Sequence, residues 1–333
     1  MPLLRADGPP AAPADHGRVV VVHDPAATDA FQPRPERVHE MVRRGMEKLT
    51  GKTNAAEAWS TLVSTQDIIG IKVYSTPGAG SGTRPAVVEG VVRGLLAANV
   101  PGKNIVIWDR QKSDLRLAGY YDVAERLGVR VDGAANAGFD EEAFYNPDVP
   151  IVGALIYGDL EFGRKGLGVG RKSFISKLVS KRLTKIINIT PLLNHNTAGV
   201  CGNLFSLATG SVDNVRRFEV SPRRLADAVP EIYALPQLSD RVVLNITDAL
   251  ICQYHGEQHS LLHYSAVLNE LRFSKDPVAL DYLSLRELDR QRQAAKDAPP
   301  SQSLTNHIRL IENATLLELG TGEQEGLRIE RWP

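Results

Sequence analysis

Cysteine is scarce in this sequence: only Cys201 and Cys252 occur among its 333 residues. Two thiols do not supply the four thiolates of an ordinary iron–sulfur cluster or of a four-cysteine zinc site. We therefore expect no iron–sulfur cluster. The cofactor stays open, with a divalent metal ion as one candidate.

Long hydrophobic runs and net charge are also missing. No apolar stretch approaches the ~20 residues of a membrane helix, so we expect no membrane insertion. Lys plus Arg and Asp plus Glu both number 39, which argues against a protein that coats nucleic acid by bulk charge. We expect no nucleic-acid partner.

The first residues, 1–17, are rich in Pro, Ala and Gly and are predicted to form a loose tail. No apolar stretch follows a basic start there, so no signal peptide is recognised and a cytoplasmic location is expected. Export remains the alternative if a leader has been lost.

Short apolar runs alternate with helical patterns after the tail. Hydrophobic residues make up 43% of the chain, which allows a buried core. The runs are nearly continuous in Val and Ile, as is typical of strands covered on both faces. They are Arg18–Val22, Asp67–Val73, Asn104–Trp108, Lys185–Thr190 and Arg241–Thr247, and the helical patterns are Arg34–Leu49, Pro85–Ala98, Asp114–Leu127 and Asp276–Lys296. This alternation predicts a three-layer α/β fold, with a mainly parallel sheet and helices on both faces.

The domain organisation follows from the same pattern. Residues 18–297 are predicted to form one α/β domain, with 133–172 as a candidate insertion. Residues 298–333 are predicted to be a C-terminal extension.

Polar residues follow each predicted strand, where ligands bind in open α/β sheets. If the strands are parallel, these residues converge on one edge. They include Lys72, Tyr74, Asp109, Arg110, Asn194, His195, Asn196 and Asp248.

Lys72 is the most unusual of these residues because it lies inside an apolar run, where a solitary charge is costly. The functional alternatives are a cation that holds an anionic ligand and a lysine with a lowered pKa. The structural alternatives are an ion pair with Asp109 or Asp248 and a strand-end lysine whose amine reaches water. His195 follows a buried strand and is either a general acid/base, a metal ligand or a histidine that satisfies backbone groups.

The spacing of His255, His259 and His263 suggests a metal site. On a straight helix the first and third would lie about 12 Å apart along the axis, so one ion cannot bind all three. The pair His255 and His259, assisted by Glu257 or Asp248, is the candidate ligand set, and incidental histidines are the alternative.

A basic segment interrupts the otherwise balanced charge. From Phe162 to Val212 there is no Asp or Glu, and residues 163–172 combine four glycines with Arg164, Lys165, Arg171 and Lys172. This composition indicates a flexible basic flap. It either closes over an anionic substrate or is a solvated basic face.

The chain resembles the family catalogued as domain of unknown function 362 between about Asp67 and Arg292. The resemblance rests on ordered motifs, among them Asp67–Val73, Asn104–Arg110, Ile187–Pro191, His195–Val200, Asn245–Leu250 and Ser274–Asp281. It implies an α/β domain but no assigned reaction. Some relatives carry ferredoxin modules or twin-arginine leaders, and we expect neither in this protein.

The sequence also departs from the family pattern at polar positions. Tyr74 stands where the family usually has Asn, and Leu193 where it has Lys. Phe205 and Ser206 stand in place of a Lys-Asn pair. Such changes put the family's ancestral activity in doubt for this divergent member.

Two hypotheses of function remain, with a third beside them. In the first, the chain is an enzyme for a small anionic molecule, with Lys72, His195 and Asp248 catalytic. Arg110, Asp109, Tyr74, Asn194 and Asn196 then bind the substrate, and the chemistry is metal-dependent or redox-linked. In the second, it is a non-catalytic ligand- or metal-binding protein. An accessory subunit of a redox complex is the third.

Overall fold

The computed structural model describes residues 16–148, 151–219, 221–256, 259–295 and 305–333. Only the last two residues of the predicted tail fall within these ranges.

The described ranges contain both helices and strands throughout. The strands are β1 (Arg18–His23), β2 (Thr28–Asp29), β3 (Gln32–Pro33), β4 (Ile69–Lys72), β5 (Ile105–Asp109), β6 (Arg130–Gly133), β7 (Phe139–Tyr145), β8 (Ser173–Ser176), β9 (Lys185–His195), β10 (Gly199–Val200), β11 (Val242–Gln253), β12 (Ser265–Ser274) and β13 (Arg328–Trp332). The helices are α1 (Pro35–Thr50), α2 (Ala55–Ser60), α3 (Pro85–Ala97), α4 (Lys112–Leu117), α5 (Tyr120–Leu127), α6 (Ala134–Ala137), α7 (Asn203–Ser211), α8 (Arg216–Glu219), α9 (Pro222–Tyr233), α10 (Pro277–Ala294) and α11 (Thr305–Leu316). None of the helices in these ranges is long and apolar enough to cross a bilayer.

The main sheet has the strand order β13-β1-β12-β11-β9-β4-β5-β6, with β10 attached to β9. All of its path strands except β12 run in the same direction, since β12 is antiparallel to both β1 and β11. The carboxyl ends of β4, β5, β9 and β11 therefore meet at one edge, as predicted.

Helices cover both faces of this sheet and so confirm the three-layer α/β fold. Alternate side chains of each strand point to opposite faces, which explains the nearly continuous apolar runs. One face, with Ile71 and Ile107, packs against α1 and α3. The other, with Val106 and Trp108, packs against α7 and α9.

Two strands and one helix differ most from their predicted bounds. Strands β9 and β11 extend to His195 and Gln253, well past the predicted ends at Thr190 and Thr247, because β10 and β12 pair with the added residues. The predicted helix over Asp114–Leu127 is divided into α4 and α5. Gly119 lies between them with φ 84°, a left-handed conformation that glycine adopts at no steric cost.

The segments outside the central pattern also have structure. Strands β7 and β8 form a separate two-stranded sheet within and beside the candidate insertion. Strand β13 pairs with β1 at the edge of the main sheet, and α11 packs on α9. The domain boundaries at residues 17 and 297 stay predictions, but residues 305–332 contribute to the same sheet and core.

Candidate functional site

Lys72 is the last residue of β4, and its side chain is completely buried. Its Nζ lies 2.9 Å from Oδ1 of Asp109 and donates to Oγ of Ser206 at 2.9 Å and to the carbonyl of Val73 at 2.6 Å. The three ammonium hydrogens thus each have an acceptor. Burial lowers the pKa of Lys72, and Asp109 opposes that shift.

Asp109, at the end of β5, is held as closely as its partner. Its Oδ2 accepts from the backbone N–H of Ser75 at 2.8 Å and from the Ser75 hydroxyl at 2.7 Å. Its Oδ1 also accepts from the N–H of Arg110 at 2.8 Å. These contacts match the structural ion pair of Lys72 that the sequence left open as one alternative.

Asp248 has a different counter-charge. Its Oδ1 lies 3.0 Å from Nη1 of Arg84, and its Oδ2 accepts from the Arg84 backbone N–H at 2.9 Å. Arg84 immediately precedes Pro85, so the Asp248 carboxylate lies at the N-terminus of α3, where a negative charge is stabilised.

Lys72 and Asp248 lie at the same edge of the sheet but on opposite faces. Lys72 contacts Ser206 on α7, whereas Asp248 contacts Arg84 beside α3. The strand pleat requires this, because Asn245 is aligned through Asn188 with Lys72, and Asp248 is three residues further along. The two charges therefore do not share one pocket, contrary to the arrangement that sequence reasoning expected.

His195 ends β9, and its ring is held on one side by the backbone. The Nδ1 atom accepts from the N–H groups of Thr197 at 3.2 Å and Ala198 at 3.0 Å. The ring lies 4.3 Å, centroid to centroid, from that of Phe205. Because Nδ1 accepts, the neutral ring carries its proton on Nε2.

The asparagines beside His195 order the β9–β10 hairpin. The Asn194 amide donates to Oδ1 of Asn196 at 2.9 Å, and the Asn194 oxygen accepts from Nη2 of Arg292 on α10. The carbonyl of Asn196 is 3.1 Å from Nε2 of His307 on α11. Arg292, whose side chain is only 8% exposed, also forms an ion pair with Asp289.

Three residues, Tyr74, Phe205 and Ser206, lie between the candidate residues. Phe205 contacts His195 and lies 6.4 Å, centroid to centroid, from Tyr74, while the next residue, Ser206, binds Lys72. Tyr74 and Phe205 are both buried. Apolar rings thus separate His195 from the Lys72 ion pair.

Arg110 extends away from these residues. Its Nη2 lies 3.9 Å from Oδ1 of Asp159, in the segment that follows β7. Arg110, predicted to bind substrate, therefore contacts the segment after β7, whereas His195, predicted to be catalytic, lies in the β9–β10 hairpin.

The described residues do not gather a metal-binding set. Within those ranges, no group of three or more His, Cys, Asp or Glu side chains is placed to hold a metal ion. The His255 ring packs edge-on against Tyr264 at 5.0 Å, and burial together with Arg292 lowers its pKa. His259 lies in an exposed loop. Glu257, the expected helper, is outside the described residues.

Several residues of this region were not predicted from the sequence. Arg84 precedes Pro85 at the start of α3, and this position only weakly indicates that its side chain pairs with a carboxylate. Ser206, Arg292 and His307 carry no local pattern that indicates their positions. They meet the strand edge only because α7, α10 and α11 pack there.

Comparison with known proteins identifies a family and no assigned activity. A family model described as domain of unknown function (DUF362) matches residues 69–286. No curated protein matches the chain. A crystal structure of a structural-genomics target from Thermotoga maritima is similar, with 11% identity and a TM-score of 0.43. The match covers 80% of this chain and 60% of that one.

Proposed function

Since the chain belongs to the DUF362 family, whose function is unknown, we propose from the contacts of His195 that it binds a small anionic molecule without catalysing its conversion. The binding elements are hydrogen-bond donors at the β9–β10 hairpin. This is the second of the hypotheses drawn from the sequence.

The single observation that carries the proposal is the role of His195 Nδ1 as an acceptor of two backbone N–H groups. For Nε2 to act as a general base, the single proton of the neutral ring must be on Nδ1. Two backbone N–H groups point at Nδ1 and oppose a proton there. Metal-bound histidines likewise usually donate from the second nitrogen. The neutral His195 ring thus carries a donor at Nε2, the polarity that matches an anion, and has no lone pair there to accept a proton.

The charges nearby support the same conclusion. Arg292 brings a nearly buried guanidinium to the hairpin through Asn194. Its charge is paired with Asp289, so the guanidinium adds hydrogen-bond donors beside the hairpin rather than an uncompensated charge. Lys72 and Asp248, the residues predicted to be catalytic, are instead engaged with Asp109 and Arg84.

The test uses inorganic phosphate and oxalate as probes in thermal unfolding. We expect the midpoint of the full chain to rise with at least one probe, and the rise to disappear in His195→Ala. The variant His23→Ala, which removes an exposed histidine at the end of β1, serves as the control and keeps the rise. Absence of any rise, or a rise that persists in His195→Ala, contradicts the proposal.

Catalysis on a small anionic substrate is the second candidate, because Lys72 is a buried cation at the strand edge and burial lowers its pKa. Nitrogen-15 NMR of the histidine rings separates the two candidates. The binding proposal requires the Nε2–H form of neutral His195. A ring with the proton on Nδ1 favours catalysis.

A further inference from the structure

The segment over residues 151–172 exposes an unusual amount of apolar surface. Val152 is 63% exposed, Tyr157 91%, Phe162 51% and Leu167 100%. Two of them, Tyr157 and Phe162, pack edge to face with their ring centroids 5.9 Å apart. A group of exposed hydrophobic side chains in one segment marks an interaction site, whereas scattered ones need no explanation. We call residues 151–172 the flap; this range includes the basic segment 163–172 identified from the sequence.

The backbone of the flap is nevertheless firmly anchored. The buried side chain of Arg217 donates to the carbonyls of Ile151 and Arg171, at the two ends of the flap. The Asn214 amide donates to the carbonyls of Gly170 and Lys172, both at 2.9 Å. Polar contacts at the base thus order the flap, and its exposed apolar side chains remain available to a partner.

The acidic and basic side chains of the flap face opposite ways. The acidic side chains turn inward: Asp159 accepts from the N–H groups of Ile156 and Asn214, and Glu161 accepts from that of Gly170. The basic residues Lys165 and Arg171 are exposed. The outer surface of the flap is therefore both apolar and positively charged.

We propose that the flap docks the protein on an anionic lipid bilayer, as a peripheral contact. Apolar side chains that enter the headgroup region, with basic residues that contact anionic headgroups, are the two requirements of such binding. Leu167, between two glycines and fully exposed, is the side chain best placed to enter. The balanced charge of the whole chain does not oppose this, because the attraction is local and acts within a Debye length.

Other occupants of the flap fit less well. A symmetric contact with a second copy places the positively charged flap of one copy against that of the other, which is repulsive. A nucleic acid offers its phosphates to Lys165 and Arg171 but leaves the aliphatic Val152 and Leu167 without a suitable partner.

The experiment is sedimentation of the full chain with phosphatidylcholine vesicles that contain or lack phosphatidylglycerol. We expect binding to the anionic vesicles only, and release at about 1 M salt, where charges are screened beyond ~3 Å. Leu167→Asp weakens binding about tenfold or more. Lys165→Gln and Arg171→Gln each weaken it about fivefold.

The matched control is Leu117→Asp, which changes another exposed leucine, 81% accessible on α4, in the same way. This variant binds as the unaltered protein does. Equal binding to neutral and anionic vesicles, no binding, or equal effects of Leu167→Asp and Leu117→Asp overturns the proposal. So does displacement from the vesicles by an RNA oligonucleotide, or self-association that Leu167→Asp abolishes.

Discussion

At the scale of single residues, two buried cations at the strand edge each have a carboxylate partner, Asp109 for Lys72 and Asp248 for Arg84. Lys72 is fully buried, and Asp109 lies 2.9 Å away with its own set of donors. Such a pair adds little net stability relative to apolar residues, but removal of one member leaves the other charge buried without compensation. Lys72 and Asp109 are therefore expected to be essential to stability whatever their part in function.

Substitution of this pair tests that expectation. Asp109→Asn is predicted to lower the free energy of unfolding by about 3–5 kcal/mol, because the Lys72 ammonium loses its counter-charge. Lys72→Met costs less, since Asp109 keeps the donors from Ser75 and Arg110. Urea denaturation of both variants and of the double variant measures the coupling. Losses that simply add in the double variant would falsify the structural role of the pair.

At the scale of elements, α7 depends on a carboxylate from another helix. Asp281 on α10 accepts from the backbone N–H groups of Asn203 at 2.6 Å and Leu204 at 2.9 Å, at the N-terminus of α7. Gly202 is required beside it, because a Cβ there would lie 2.4 Å from the Asp281 carboxylate. Asp281 thus fixes the helix that brings Phe205 and Ser206 to the strand edge.

The Asp281 carboxyl group at the N-terminus of α7 makes the stability of the protein depend on pH. Burial raises the pKa of Asp281 to about 6 from 3.8, against the opposing effect of its hydrogen bonds. The native state therefore holds the proton more tightly than the unfolded state. The stabilising effect of the protonated Asp281 is present at low pH and is lost as the pH rises through about 6.

Asp281→Asn removes this proton-linked contribution. The variant is expected to be less stable than the unaltered protein, and the difference grows by about 1 kcal/mol from about pH 7.5 to about pH 5. Urea denaturation at both pH values measures it. A constant difference would show that Asp281 has the same pKa in both states, and a difference that shrinks at low pH would show that its native pKa is the lower one.

At the scale of the whole molecule, the C-terminal residues complete the fold. Strand β13 covers β1 in parallel register from Arg18 and Arg328 onward. Helix α11 buries Leu310, Ile311 and Ala314. Without them, the edge of the sheet and one face of α9 would be exposed to water.

Deletion of residues 305–333 is therefore expected to give an aggregated or unfolded protein by size-exclusion chromatography and thermal unfolding. Ile311→Ala, in the full chain, is expected to cost about 2–5 kcal/mol. Leu316→Ala, at an 80% exposed position of the same helix, should change stability by less than about 0.5 kcal/mol. A monomeric truncated chain with an unchanged midpoint would make these residues dispensable.

Local sequence patterns were sufficient to predict much of the architecture. Apolar runs such as Asn104–Trp108 and the proline-started α3 are determined by neighbouring residues, and the structure has both. The polar residues after the strands follow from the same pattern, since the ends of parallel strands meet at one edge. Strand β12 was not predicted because Glu270 and Arg272 interrupt the apolar pattern of its sequence. In the structure the two side chains pair with each other.

Only the tertiary structure decided which of those polar residues meet. Lys72 and Ser206 are 134 positions apart in the sequence, and Arg84 and Asp248 are 164 apart. Such pairs depend on the packing of α7 and α3 on opposite faces of the sheet, which no local pattern specifies. The sequence by itself determined an α/β sheet with a polar edge. The tertiary structure determined that Lys72 meets Asp109 on the neighbouring strand and that Asp248 meets Arg84 at the start of α3. Lys72 and Asp248 are kept apart because side chains alternate between the faces of every strand.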